Sequence, residues 1–314
     1  MENMNITRYS PELKSLWNEH ISNSRIPHFM FFREYMDYHS QKFKDCSLIF
    51  STDKNEIIGV LPANENGKNL ISHEGLSFGG LILSKMATAS EIQNIFECLV
   101  NWLKGSTKFK KFIYKRVPDI YCIQPNQEDA YFLNLIGANL IRRDLSTTIN
   151  LRSPLPMQKM RKRLSKKAIK TNVKIEKSTP EEIWPIIEEV LNSQHNTKPV
   201  HSLAEIEKLS SVFIDNIFSW SAKLNQEAIA CVVIFLTSRV AHAQYIAVSD
   251  LGREIGALDL LFTELIENQY SKIDYFDFGI STENQGKFLN LGLIGQKQGF
   301  GGRGIVHDFY ELIV

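Results

Sequence analysis

At 314 residues the chain is long enough for two domains. With 43% hydrophobic and 23% charged residues the composition is that of a globular protein, and a net charge of +1 argues against one devoted to nucleic acid. The longest apolar run, IACVVIFL from Ile229, is strand-sized and excludes a membrane span, while the polar start MENMNITRYSPELK lacks a signal-peptide core, so a cytoplasmic protein is expected.

In chain order, MFFREYMDYH reads as an amphipathic helix and CSLIFS and EIIGVLPA as strands around the turn-forming STDKN. LSFGGLIL is a further strand, and ASEIQNIFECLVNWLK a strongly patterned helix with its N-cap near Ser90. KKFIYKRV, DAYFLNLIG and ANLIRRDLSTTINL read as strand, short helix and closing strand. TPEEIWPIIEEVLNSQ is a helix with a capping-box start at Thr179 and Glu182, and SLAEIEKLSSVFID is another. FSWSAKL, EAIACVVIFL and VAHAQYIAV are strands, GALDLLFTELIENQ a helix, KIDYFDFG a strand, GKFLNLGLI a short helix and HDFYELIV a last strand. The four cysteines (Cys46, Cys98, Cys122, Cys231) show no metal spacing and the histidines no HExxH pair, so free thiols and no metal are expected.

The tetrapeptide FLNL occurs at Phe132 and again at Phe288, and 288 − 132 = 156 is close to half the chain. In both halves it follows the strand after the long helix, which favours a duplicated plan with domains at 1–150 and 151–314. Helices, antiparallel strands, then helix, strand, helix, strand make an α/β plan with a mixed, mostly antiparallel sheet flanked by helices.

That order resembles two tandem GNAT-like domains of the FemAB-like group, with the related CelD-like acyltransferases. Three stretches carry the likeness: LRSPLPMQKMRKRLSKKAIKTNVKIEKSTPEEIW, YIAVSDLGREIGALDLLFTELIENQYSKIDYFDFG and the closing GLIGQKQGFGG. The resemblance implies a C-terminal domain on the acyl-donor side and a degenerate N-terminal domain on the acceptor side. It also implies acetyl-CoA or another acyl-CoA as co-substrate, its pyrophosphate held on amides at a helix N-terminus by Arg253, Glu254, Ile255, Gly256 and Ala257, although Leu258 stands where a small residue is usual. A plain polar loop capping the helix is the other reading of that stretch.

Strand alternation places Val240, His242, Gln244 and Ile246 on one face of VAHAQYIAV, and Tyr275, Asp277 and Gly279 on one face of KIDYFDFG. His242 is a candidate base for an attacking amine, with Asp277 or His201 assisting; the structural alternatives are a satisfied core histidine for His242, a helix-cap or loop-bonding carboxylate for Asp277 and solvent-exposed loop filler for His201. Gln244, Tyr275, Lys297 and His307 are candidate substrate-binding residues, Lys297 and His307 with Arg303 forming a cationic group for a phosphate, and Asn290 is a candidate bond to pantetheine. Gly279, ending its strand, is suited to let the neighbouring strand splay away. The basic run from Lys159 to Lys174 is a solvated helix or a phosphate- or tRNA-binding surface.

The expectation is an acyl-CoA-dependent N-acyltransferase acting on an amino sugar, free or nucleotide-linked, or a similar small amine in cell-surface polysaccharide biosynthesis. Two alternatives stand beside it: a FemAB-type aminoacyl-tRNA-dependent transferase to a peptidoglycan precursor, and a non-catalytic binding module of an envelope-synthesis complex.

Overall fold

The computed structural model describes residues 4–195 and 197–314. They fold as two units whose division does not follow one cut: residues up to 144, 284–287 and 306–314 form the first, and 145–283 with 288–305 the second. The C-terminal strand thus completes the first unit.

In that unit Met4–Arg8, Leu48–Thr52, Ile57–Leu61 and Ile82–Leu83 form one antiparallel sheet. In a second sheet Lys111–Lys115 pairs antiparallel with residues 309–313 and parallel with Asn69–Ile71. The helix Ala89–Gly105 buries Ile92, Ile95, Phe96, Leu99 and Leu103, spaced three and four apart, against this core. Its cap is Thr88 in a capping box with Glu91, two residues before the expected Ser90. The helix expected over 30–39 is instead the short pieces Phe29–Phe31, Arg33–Met36 and Asp37–His39. The expected strand LSFGGLIL survives only as Ile82–Leu83, because Gly80 turns at φ +92 and a Cβ on Gly79 would lie 2.1 Å from the Ser72 carbonyl oxygen.

The strand β1 (Asn139–Asn150) enters the second unit, followed by α1 (Lys159–Lys170), β2 (Lys174–Ser178), α2 (Pro180–His195) and α3 (Leu203–Val212). The antiparallel β3 (Ile217–Leu224), β4 (Glu227–Leu236) and β5 (Val240–Val248) come next, within a residue of their expected bounds. After them come α4 (Asp250–Ile255), α5 (Ala257–Glu264), β6 (Tyr275–Ile280) and α6 (Leu291–Gln298), while β7 (Arg303–Ile313) belongs from Val306 onward to the first unit. The sheet order is β2-β3-β4-β5-β6-β1, antiparallel except for the parallel β5–β6 pair.

One face of this sheet presents Ala230, Val232, Ile234, Ala241, Ala243, Phe276 and Ile149 to Ala168 of α1 and to Ala257, Leu258, Leu261 and Phe262 of α5. The opposite face meets α2, whose Ile183 carbonyl accepts from Cys231 Sγ and whose Trp184 ring lies 5.3 Å from Tyr245. The two copies of FLNL differ in local structure. Phe132–Leu135 closes the helix Glu128–Leu135, whereas Phe288–Leu289 is a short strand and Asn290 caps α6. The short helix expected from Gly286 therefore begins at Leu291.

Candidate functional site

Register assembles the site in the second unit. His242 on β5 stands opposite Asp277 on β6, and Asp277 opposite Thr148 on β1, so the three side chains form a row across adjacent strands on the face turned away from α5. Asp277 is fully buried; its Oδ2 is 2.7 Å from His242 Nδ1, and its Oδ1 accepts from Ser146 Oγ and Thr148 Oγ1, each at 2.7 Å. A carboxylate withdrawn from water needs such partners, and here charge-assisted bonds supply them. The His242 ring keeps 18% of its side-chain surface exposed, so it joins this buried acid to solvent.

The β5–β6 ladder runs from Val240↔Tyr275 to His242↔Asp277 and then stops, although β5 continues to Val248 and β6 to Ile280. The strands therefore part at the His242–Asp277 pair. Gly279 lies where the β6–β1 register shifts; its φ of +76 suits glycine, and a Cβ there would stand 3.4 Å from His242 Cε1. At the same end of β6, the buried Lys297 ammonium donates to the Gly279 and Ile280 carbonyls at 2.8 and 2.7 Å. Burial pushes Lys297 down to about 8, against the opposing pull of Asp277. Lys297 thus ties off a strand end, which differs from the expected exposed phosphate contact. Arg303 Nη1 bonds the Gly302 carbonyl, and His307 lies in the first unit with its ring 6.1 Å from Phe78.

Strict alternation fails on β5. The register passes from Ile234↔Ala243 to Val233↔Tyr245, leaving Gln244 without a partner on β4. Phe235 opposes His242 and Val233 opposes Tyr245, and these β4 residues share a face, so Tyr245 joins His242 there. Ile246, expected beside His242, packs on the α5 side instead. Tyr245 Oη meets His201 Nδ1 at 2.6 Å and accepts from the His201 amide at 3.2 Å, and burial pushes the phenol up to about 12. His201 is buried in that clasp, whereas Tyr275 lies half-buried two residues before Asp277 on the same strand face.

The expected donor stretch is helical rather than a loop. Gly256, at φ +81, ends α4 and caps α5, and its amide bonds back to the Gly252 and Arg253 carbonyls at 3.0 and 3.3 Å. A Cβ on Gly256 would fall 2.6 Å from the Leu164 carbonyl oxygen, so this glycine also admits α1. Lys167 Nζ bonds the Glu254 carbonyl and Arg161 the Asp259 carboxylate, both at 2.8 Å, while Ile255 and Ala257 enter the core and Arg253 stays exposed. Asn290 caps α6, accepting from the Leu293 amide at 2.9 Å and donating to Glu283 at 2.8 Å.

Ser146, Thr148 and Tyr245 are the residues at this site that strand patterning did not single out. Alternation pairs Ser146 with Thr148 on one face of β1, but only the cross-strand register shows which carboxylate they meet. Among the described residues no group of three or more His, Cys, Asp or Glu side chains is placed to hold a metal ion, and no helix is long and apolar enough to cross a membrane.

No family model matches the sequence, and no curated relative is similar to it. Solved structures do match. FemX is similar over 99% of this chain and 97% of its own, at 8% identity and a TM-score of 0.67. L-PGS from Bacillus licheniformis matches over 96% of this chain and 91% of its own, at 11% identity and a TM-score of 0.61. A tandem GNAT protein from the clavulanic acid biosynthesis pathway matches over 99% and 98%, at 8% identity and a TM-score of 0.50. At such identities the likeness is one of fold, and it covers the whole chain: the protein has a FemAB-like fold of two tandem GNAT-like domains, mixed α/β throughout.

Proposed function

We propose that the second unit transfers an acyl group from an acyl-CoA thioester to a small primary amine, with an amino sugar of cell-surface polysaccharide synthesis as the acceptor class. The observation that carries this is the His242–Asp277 pair at the point where β5 and β6 part. A parted pair of strands offers unpaired backbone groups to an extended, amide-containing donor arm, and the imidazole stands beside that opening. The amine nitrogen attacks the thioester carbonyl carbon while His242 Nε2 takes its proton, and Asp277 stabilises the imidazolium so formed. Collapse of the tetrahedral intermediate breaks the carbon–sulfur bond, and the leaving thiolate recovers the proton from the imidazolium. The bulge at Gln244 supports the reading that a backbone amide of β5 faces the developing oxyanion. Lys297, by holding the end of β6, keeps the opening in place.

The donor's phosphates have no site in the Gly256 amide, which is bonded inside the α4–α5 link, nor in the Gly252 amide, which bonds Ser249 Oγ, so in this reading the exposed Arg253 is their cationic contact. Calorimetry with acetyl-CoA tests the proposal: saturable binding that survives His242→Ala, with loss of CoA release in that variant, supports it. No binding at millimolar acetyl-CoA refutes it.

A second reading, aminoacyl-tRNA as donor, is favoured by one observation. Lys159, Lys162, Arg163, Lys166 and Lys170 are all exposed on α1, although Arg161 and Lys167 are occupied with Asp259 and Glu254. Charge reversal at Lys162, Lys166 and Lys170 abolishes activity in that reading and leaves acyl-CoA turnover unchanged in the first. A non-catalytic module would keep its biological output in both His242→Ala and Asp277→Ala.

A further inference from the structure

The acid of the pair is held from behind by two hydroxyls on a third strand, and their chemistry determines which nitrogen of His242 is free. Ser146 and Thr148 reach the same Asp277 oxygen because the β6–β1 register slips: Asp277 opposes Thr148, and the next paired residues are Ile280 and Ser146, with one extra residue on β6 between them. Both hydroxyls lie 2.7 Å from Oδ1.

An ionised carboxylate only accepts, so both hydroxyls donate to Oδ1 and Oδ2 accepts from a proton on His242 Nδ1. Two hydroxyls converging on the single oxygen Oδ1 suit an ionised carboxylate, which accepts at both oxygens and carries no proton of its own. With Nδ1 carrying the proton, the neutral ring presents the Nε2 lone pair away from Asp277.

We infer that Ser146 and Thr148 are positioning residues: by saturating Asp277 Oδ1 they fix the Nδ1–H tautomer of His242 and so make Nε2 the base. The catalytic consequence rests on the acyl-transfer reading, but the tautomer rests on geometry alone. Removing the hydroxyls leaves a buried carboxylate short of donors, and the carboxyl then competes for a proton or turns within its site. His242 loses its fixed partner in either case.

The test is nitrogen-15 NMR of the imidazole at a pH where the ring is neutral, on wild type, Thr148→Val, Ser146→Ala and Thr148→Ser, with circular dichroism confirming the fold. Wild type should show the Nδ1–H signature for His242; Thr148→Val and Ser146→Ala should mix the tautomers, and Thr148→Ser should restore wild-type behaviour. An Nε2–H tautomer in wild type, or an unchanged signature in folded Thr148→Val and Ser146→Ala, overturns the inference. In the transfer assay Thr148→Val should lower kcat by roughly 10-fold or more with KM for the donor little changed, as for an interaction used mainly in the transition state. Mixed tautomers with unchanged kcat would support the positioning role and refute His242 as the base.

Discussion

Replacing Lys297 with Met gives a prediction whose size follows from the structure. Lys297 is 5% exposed, and burial lowers its amine from 10.5 to about 8. At 1.36 kcal/mol per pH unit this is a ceiling of about 3 kcal/mol, the cost of keeping the ammonium charged in the fold at neutral pH. The folded pKa is depressed, so the contribution to stability is present above 10.5 and is lost as the pH falls towards 8. Between those values the unfolded chain holds a proton that the folded chain has released, and stability rises with pH. Near pH 9 the slope from this one lysine is about 1 kcal/mol per pH unit. Lys115, also pushed down to about 8 by burial, adds a slope of the same sign. Tyr114, Tyr245 and Tyr270, raised by burial, act oppositely above about pH 10, and the Cys46, Cys98 and Cys231 thiols, also raised by burial, do so from about pH 9; all of these are common to wild type and Lys297→Met, so the difference between the two isolates the lysine. Urea unfolding followed by tryptophan fluorescence, at several values between pH 8 and 9.5, measures the slope. Lys297→Met should reduce it by about 1 kcal/mol per pH unit. It should also be less stable than wild type at pH 9.5, since the Gly279 and Ile280 carbonyls lose their donor. An unchanged slope would mean that Lys297 is not the buried cation described here.

Two further substitutions probe the scaffold and the acid. Gly256→Ala meets both a left-handed φ and the Leu164 carbonyl at 2.6 Å; it should cost about 2–4 kcal/mol by thermal or urea unfolding, as helix α1 is forced off the α4–α5 link. A cost near that of an exposed helix substitution would show that the close approach is relaxed in solution. Asp277→Asn keeps the shape but presents an amide to three donors, so one of its bonds to His242, Ser146 or Thr148 must break or reverse. Transfer activity should fall about 100-fold or more with modest loss of stability, and near-wild-type turnover would remove Asp277 from the mechanism.

Much of the second unit was legible because its strands alternate and its helices carry caps. The Thr179–Glu182 capping box is present, with the Glu182 amide donating to Thr179 Oγ1 at 3.4 Å. The face shared by Tyr275, Asp277 and Gly279 follows from simple alternation, since Phe276 and Phe278 enter the core opposite. His242 and Asp277 could be named as a pair of candidates, but neither strand states their register, which depends on where a parallel ladder begins and ends. The same limit hid Ser146 and Thr148, since a closing strand read alone does not reveal its neighbour. One extra residue at Gln244 moved Tyr245 onto the histidine face, a change that alternation cannot anticipate. Gly256 reads as a phosphate-binding glycine from its motif, whereas its position is explained by helix packing against Leu164. The repeated FLNL shows how weakly four residues specify structure: one copy is helical, the other a strand and a cap.

If His242, held by Asp277 where β5 and β6 part, is the base of an acyl transfer, its loss must stop the chemistry without stopping donor binding. The direct measurement is thiol release from acetyl-CoA in the presence of a panel of amino sugars, comparing wild type with His242→Ala and with Lys162→Glu as a surface control. Amine-dependent release should fall at least ~100-fold in His242→Ala and stay unchanged in Lys162→Glu. Equal release by wild type and His242→Ala, in folded protein that binds the donor, would contradict it.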